Sequence, residues 1–210
     1  ALADACKQVE TNLPLYTYQC QNHSSVNDIY PGCANNQWTC GFWPGEIWLA
    51  YESTGDEKFK TAALIQVDSF ADRIARKVEV DHHDMGFLYS PSCVAAYKLT
   101  GSEVGKRAAL LAADNLMKRF HEKGQFFQAW GKIGDKDNYR LIIDCLMNMP
   151  LLFWASKVTG DKKYAEKAQA HIKTAMENIV RDDNSTYHTY FFDMETGKPC
   201  LLYTSDAADD

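Results

Sequence analysis

The chain has 210 residues, of which 46% are hydrophobic, 12% aromatic and 24% charged, with a formal net charge of −6. Length and aromatic content exclude disorder as the main state and suit one domain, or at most two small ones, able to bury a core without disulfides or metals. The acidic balance excludes a phosphate-tracking nucleic-acid binder, and the sequence has no run of about 18 apolar residues that could span a membrane. The chain opens on Ala1, and ALADACKQVE does not read as a signal peptide, so the start is expected to be lost or processed. Seven cysteines form no CxxC pair, and Cys93 and Cys145 sit in apolar helical patterns. They are expected to be buried thiols rather than disulfides. The sequons at Asn22 and Asn184 are treated as chance matches.

The elements follow a repeat. Leu49 to Leu64, Ala95 to Leu110 and Phe153 to Gln169 read alike: an apolar helix end, Thr-Gly, Asp or Ser, then a new helix. Gly55, Gly101 and Gly160 fit the left-handed position past a helix end, and Asp56, Ser102 and Asp161 fit the N-cap of the next helix. Such short connections predict three antiparallel helical hairpins. The second helix of each pair is amphipathic, with Ala108, Leu111, Ala112, Leu116 and Phe120 on one predicted buried face and Tyr164, Ala168, Ile172, Met176 and Ile179 on another. The first helices, FWPGEIWLAY, GFLYSPSCVAAY and LIIDCLMNMPLLFWA, are apolar nearly all round and predicted to be buried on all sides. Pro44 suits a first turn, whereas Pro91 and Pro150 predict kinks or interrupted turns.

The predicted fold class is therefore all-α, an α/α toroid of inner helices packed by outer ones. Three hairpins do not close a ring, so the chain is expected to be incomplete. The last stretch, Cys200 to Asp210, shows no helical or strand period and follows a turn at Glu195 to Pro199. Cys200 to Asp209 is similar, residue for residue, to the conceptual translation of a transposase sequencing adapter. The native domain is thus expected over residues 1–199, with 200–210 a read-through tail in which Asp206, Asp209 and Asp210 have no role.

Consecutive inner helices run the same way, so their N-terminal approaches share one rim. Those approaches are Asn35 to Gly41, Asp81 to Gly86, Asn138 to Asp144 and Asn184 to Asp193, the last leading toward an inner helix that is missing. Trp38, His83, Asp84, Asp144 and His188 fall there, at helix N-termini that favour an anionic ligand. Asp144 lies among Leu141, Ile142, Ile143, Cys145, Leu146 and Met147. Desolvation there would raise its pKa toward that of a general acid, the alternative being a first-turn aspartate that only steadies a helix. Asp84 ends an Asp-His-His-Asp run: it could cap the following helix, join a metal site, or pair with Asp144 so that one carboxyl stays protonated. Trp38 and Trp130 lie in connectors, where they could serve as sugar-stacking platforms or as hydrophobic plugs. Trp43, Trp48 and Trp154 have core spacing.

Taken together, WTCGFWPGEIWLAYESTGD, HHDMGFLYSPSCVAAYKLTG, FQAWG, IIDCLMNMPLLFWASKVTGD and HTYFFDMETGKP resemble the unsaturated glucuronyl hydrolases, glycoside hydrolase family 88, over nearly all of Trp38 to Pro199. The resemblance implies about the first half of an (α/α)6 barrel. It also implies release of a 4,5-unsaturated uronic acid from the non-reducing end of lyase-generated oligosaccharides by vinyl-ether hydration. Carried over, Asp144 protonates C4 and then activates the water that adds at C5, and Asp84 is the second catalytic carboxylate. Trp38, His83, Trp130 and His188 line the uronate subsite. No metal or organic cofactor is implied. The implied partner is the unsaturated oligosaccharide, with no nucleic acid or membrane, and the implied location is the bacterial cytoplasm or periplasm. The family's later substrate contacts have no counterpart here, so the 210-residue chain is expected to be inactive alone. Rival readings are an unsaturated rhamnogalacturonyl hydrolase, a non-catalytic helical repeat module, which requires Asp84 and Asp144 exposed and far apart, and a sugar epimerase with histidine bases.

Overall fold

The computed structural model describes residues 1–203, with side chains through Cys200. Asp206, Asp209 and Asp210 lie outside the described residues. In chain order the helices are α1 (Leu2–Tyr16), α2 (Phe42–Thr54), α3 (Glu57–Arg76), α4 (Met85–Tyr89), α5 (Ala95–Thr100), α6 (Glu103–Met117), α7 (Met149–Thr159) and α8 (Lys163–Asn178). Short strands β1 (Cys20–Gln21), β2 (Gly32–Cys33), β3 (Phe120–His121), β4 (Phe126–Phe127), β5 (Arg140–Ile142), β6 (Thr189–Phe192) and β7 (Pro199–Tyr203) form three small antiparallel sheets, in the orders β1-β2, β3-β4 and β5-β6-β7. The fold class is all-α, the helical hairpins of an incomplete α/α toroid with these small sheets added. Among the described residues no helix is long and apolar enough to cross a membrane.

The repeated turn is the same each time. Gly55, Gly101 and Gly160 are left-handed at φ 69°, 73° and 76°, a conformation that costs an L side chain about 1–2 kcal/mol. The preceding Thr54, Thr100 and Thr159 hydroxyls donate to the carbonyls of Ala50, Ala96 and Ala155, each at 2.7 Å. Asp56, Ser102 and Asp161 accept from the N–H groups of Lys58, Gly105 and Lys163 and so start the outgoing helix.

The chain divides into two compact units. The first comprises residues 1–80 and 87–112, the second 81–86 and 113 onward, so α4 and α6 each contribute to both. In the first unit α1 and α3 flank α2. The Trp43 indole donates to the Tyr16 carbonyl at 2.9 Å, and the Trp48 indole to the Ser92 carbonyl at 3.1 Å. That carbonyl is presented by a π turn over Ser90–Val94, the interruption expected at Pro91. Phe70 and Tyr89 meet edge to face at 5.7 Å. In the second unit the core is Phe126, Tyr139, Leu141, Ala175, Ile179 and Phe192, with Phe126 stacked on Phe192 at 4.5 Å.

Several expectations are corrected. The run from Leu141 is not one long inner helix. Arg140–Ile142 is a strand, Ile143–Asn148 is a 3-10 turn, and α7 begins only at Met149, which puts Pro150 in its first turn. Thr189–Phe192, read as an approach to a further helix, is a strand pairing with β5 and with β7, and β7 includes the start of the stretch that showed no strand period. Leu111 and Met176 are exposed, because the buried face of α8 runs instead through Tyr164, Ala168, His171, Thr174 and Ala175 and that of α6 through Ala108, Ala109, Ala112, Ala113 and Leu116. Phe120 has left the helix for β3. The inner helices are not buried all round: Phe42, Leu49 and Phe153 face solvent. Helix α1 was not anticipated. All seven cysteines are free thiols, and five are buried. Trp43, Trp48 and Trp154 are core residues.

Substituting Gly160 by Val forces a β-branched residue to positive φ. The expected loss of about 1–2 kcal/mol is read from the urea midpoint, with Gly160→Asn retaining more of the stability.

Candidate active site

The second unit hangs its connectors on a buried arginine. Arg119, two residues past α6, donates from Nε to the Gln128 carbonyl (2.9 Å) and from its terminal nitrogens to the Gly131 carbonyl (3.0 Å), the Asp81 carbonyl (3.2 Å) and the Asp81 carboxylate. The Gln128 side chain is fully buried and donates to the carbonyls of Trp130 and Gly131. The His83 N–H donates to the Ala129 carbonyl at 2.8 Å, and the Ala129 N–H to the Arg140 carbonyl at 3.1 Å. One guanidinium therefore organises the loop that carries His83 and Asp84, the loop that carries Trp130 and, through them, β5. A close backbone approach adds to this: a Cβ on Gly86 would strike the backbone and side chain of Asn148, so residue 86 must lack one.

That scaffold brings His83, Asp84 and Asp144 together. His83 Nε2 is 3.2 Å from Asp84 Oδ1 and 3.5 Å from Asp144 Oδ1. One ligand atom from each of the three lies within 4.8 Å of the other two. On the far side, His82 Nδ1 is 2.9 Å from Asp84 Oδ2. Burial works against a charge on Asp84, but hydrogen bonds from His82 and His83 outweigh it and hold the carboxyl well below the usual carboxylate range. His83 is 1% exposed; burial disfavours its charge too, yet the neighbouring Cys145 sulfur and Asp84 raise its pKa well above the ordinary imidazole value. Asp144 goes the other way. Burial raises it, and Asp84 adds to the rise against the opposing pull of His83 and His188. Its Oδ1 is buried without a hydrogen bond among the described residues, while 40% of the side chain remains open. The result is one carboxyl held low, an imidazole held high and a second carboxyl pushed upward, side by side. Such close spacing would also admit a cation.

His188 arrives through the sheet. Ile142 pairs with Thr189 across β5 and β6, and the Ile143 N–H donates to the His188 carbonyl at 3.0 Å, which sets His188 beside the residue preceding Asp144. Trp130 is half-exposed in the second unit, and the Arg140 guanidinium lies 4.4 Å from its ring centroid. Trp38 belongs to the first unit, at the start of a 3-10 turn, in an exposed aromatic cluster with Phe42 (6.2 Å) and Phe87 (5.6 Å). Sequence reasoning missed Arg140, Arg119, Cys145 as a partner of His83, and His171. For Arg119 a signal existed: Arg73 and Arg119 follow Gly55 and Gly101 by the same number of residues. The non-catalytic reading, which needed the two aspartates exposed and far apart, does not fit this geometry.

The sequence signature of Glycosyl Hydrolase Family 88 matches residues 15–198. The chain belongs to this family. It is 48% identical over 199 residues to the unsaturated chondroitin disaccharide hydrolase of Streptococcus pneumoniae, covering 95% of this chain and 50% of that one. It is 43% identical over 198 residues to the unsaturated glucuronyl hydrolase of a Bacillus species, covering 94% and 52%. The crystal structure of unsaturated glucuronyl hydrolase from Streptococcus agalactiae superposes with a TM-score of 0.92 at 44% identity, over 97% of this chain and 52% of the other. The chain thus spans about half the length of the family 88 relatives it matches.

Two measurements bear on this scaffold. Arg119→Met removes four hydrogen bonds, three of them to backbone carbonyls, and is expected to cost about 3 kcal/mol or more, read from urea unfolding. Asp84 has a folded pKa below its unfolded value of about 3.9, so the stability it contributes is present above pH 4 and is lost as pH falls further. Asp84→Asn is expected to flatten the decline of the urea midpoint between about pH 5 and pH 2.

Proposed function

We propose that the whole protein is a hydrolase that removes a 4,5-unsaturated uronic acid from the non-reducing end of lyase-generated oligosaccharides, by hydration of the vinyl ether. The observation that carries this is the split pair: two carboxyl groups within 4.8 Å, one held ionised by two histidines and the other held toward its acid form by burial. Family membership and the activities named for the similar Streptococcus and Bacillus proteins support the same reading.

Asp144 is the acid in this scheme. Its proton goes to C4 of the double bond, which leaves positive charge shared between C5 and the ring oxygen. The Asp144 carboxylate formed in that step then takes a proton from water as the oxygen adds to C5. The hemiketal opens, and the bond to the next sugar is released. Asp84 and His83 hold the substrate, and burial, with Asp84 adding to it, favours the protonated form of Asp144. Trp130 and His188 complete the uronate subsite, Trp130 offering the ring face that Arg140 leaves free, and Trp38 is carried over to it from the sequence resemblance alone. An epimerase that relies on His83 as a base is disfavoured, because Cys145 and Asp84 favour the protonated form of that imidazole. Residues 1–199 form part of the catalytic domain of a protein of the bacterial cytoplasm or periplasm, residues 200–210 are a read-through tail whose start pairs as β7, and the 210-residue chain alone turns over no substrate.

The test follows loss of absorbance from the conjugated uronate on lyase-generated disaccharides. The whole protein is expected to consume them, and Asp144→Asn to lower kcat by at least 100-fold, the range of a lost general acid. Unchanged turnover in that variant would remove the proposed acid. Activity should also fall on both sides of an optimum, above it as Asp144 loses its proton and below it as Asp84 gains one, so Asp84→Asn is expected to erase the acidic limb of a kcat/KM profile.

A further inference from the structure

Two buried ring nitrogens in the second unit, Nδ1 of His83 and Nε2 of His171, have no nitrogen or oxygen partner among the described residues. Both histidines are buried, His171 completely. The group that interacts with both rings is the Cys145 thiol, itself fully buried and adjacent to Asp144 in the chain. The tautomer of His171 follows from its other nitrogen. Nδ1 accepts the Phe127 backbone N–H at 3.0 Å, so in the neutral ring the proton is on Nε2, which leaves that N–H for the sulfur the ring interacts with. On the opposite side, Nε2 of His83 is committed to Asp84 and Asp144, which leaves Nδ1 for the sulfur.

We propose that Cys145, backed by His171, is a positioning residue for His83: its sulfur accepts a hydrogen bond from each ring and thereby holds the Nε2–H of His83 against Asp84 and beside Asp144. This deepens the reading of Asp84 and Asp144 as the reacting pair and rests on it for its catalytic meaning, but the arrangement itself is independent of substrate. A sulfur that takes two N–H donors is stabilised as thiolate, and burial, which opposes that charge, is outweighed: the Cys145 thiol comes down to about 7. The charged and titratable groups that bear on it are His83, His171 and Arg119, and those that bear on His83 are Cys145, Asp84 and Asp144.

The experiment reads the imidazole nitrogens of His83 in the 210-residue chain by long-range proton–nitrogen NMR across a pH series. Both nitrogens are expected to be protonated at neutral pH. Cys145→Ala is expected to lower the His83 midpoint by one pH unit or more, a tenfold loss of proton affinity, and Cys145→Ser, whose hydroxyl accepts but stays un-ionised, by less. His171→Phe should shift it in the same direction. A His83 midpoint unchanged in a folded Cys145→Ala chain overturns the proposal. Should that variant not fold, the Cys145 Cβ carbon shift in the unaltered chain decides: it is expected to move to its thiolate value near neutral pH, and a thiol value held to pH 9 overturns the proposal. Neither readout uses turnover, so a failed hydrolase assignment and a failed role for Cys145 are told apart.

Discussion

A guanidinium withdrawn from water must find carbonyl oxygens, and in this protein that demand decides where the connectors lie. Arg73, at the end of α3, donates to the carbonyls of Gln37, Val78 and Glu79 and to the Asn35 side chain, all within the first unit. Arg119, after α6, does the same for residues 81, 128 and 131. Arg181, after α8, donates to the Ser185 hydroxyl and the Thr186 carbonyl and lies over the Tyr187 ring at 3.8 Å. Each outer helix thus ends near an arginine that gathers the chain leaving it. The position also suits a cation, since the carbonyl end of a helix carries partial negative charge. Irregular backbone is costly to bury unless its polar groups are satisfied, and here a side chain at a repeated place satisfies them.

The consequence for chemistry is positional accuracy on segments with little regular structure. His83 and Asp84 sit on a loop, Trp130 on another and Asp144 on a 3-10 turn. None has a long helix beneath it. Their relative placement comes from laced hydrogen bonds through Arg119, Gln128 and Ala129, together with the β5–β6 ladder that delivers His188. The electrostatic division of labour depends on that placement. Two carboxyl groups in water would ionise together near their ordinary values. Here one meets two imidazoles and the other meets apolar walls and a like charge, so their proton affinities separate.

The parts of this arrangement legible in the sequence were local. Thr-Gly-Asp at Thr54, Gly55 and Asp56 states a helix end, a left-handed residue and a cap within three positions, and the hairpins follow. Pro91 announced its interruption for the same reason, since a missing N–H acts within one turn. Asp144 could be singled out because a carboxyl among leucines and isoleucines is informative wherever it folds. The failures were non-local. The Leu141-Ile142-Ile143 run satisfies a helix and a strand equally, and the partner that settles it, Thr189, lies far along the chain. Leu111 and Met176 were placed inside because apolar spacing alone cannot reveal that His171 takes the buried face of α8 to reach Phe127. Cys145 was recognised as buried, but its contact with two histidines from separate segments has no trace in composition or spacing.

The missing Cβ at Gly86 also bears on how such a site can change over generations. The loop with Asp84 and the turn with Asp144 approach each other across this atom-sized gap, so a methyl group there would pry apart the backbone and the two carboxyl groups in a single step. Drift at that codon would therefore be visible to selection for folding whatever the two carboxyl groups do, and their spacing would be inherited as a by-product of packing.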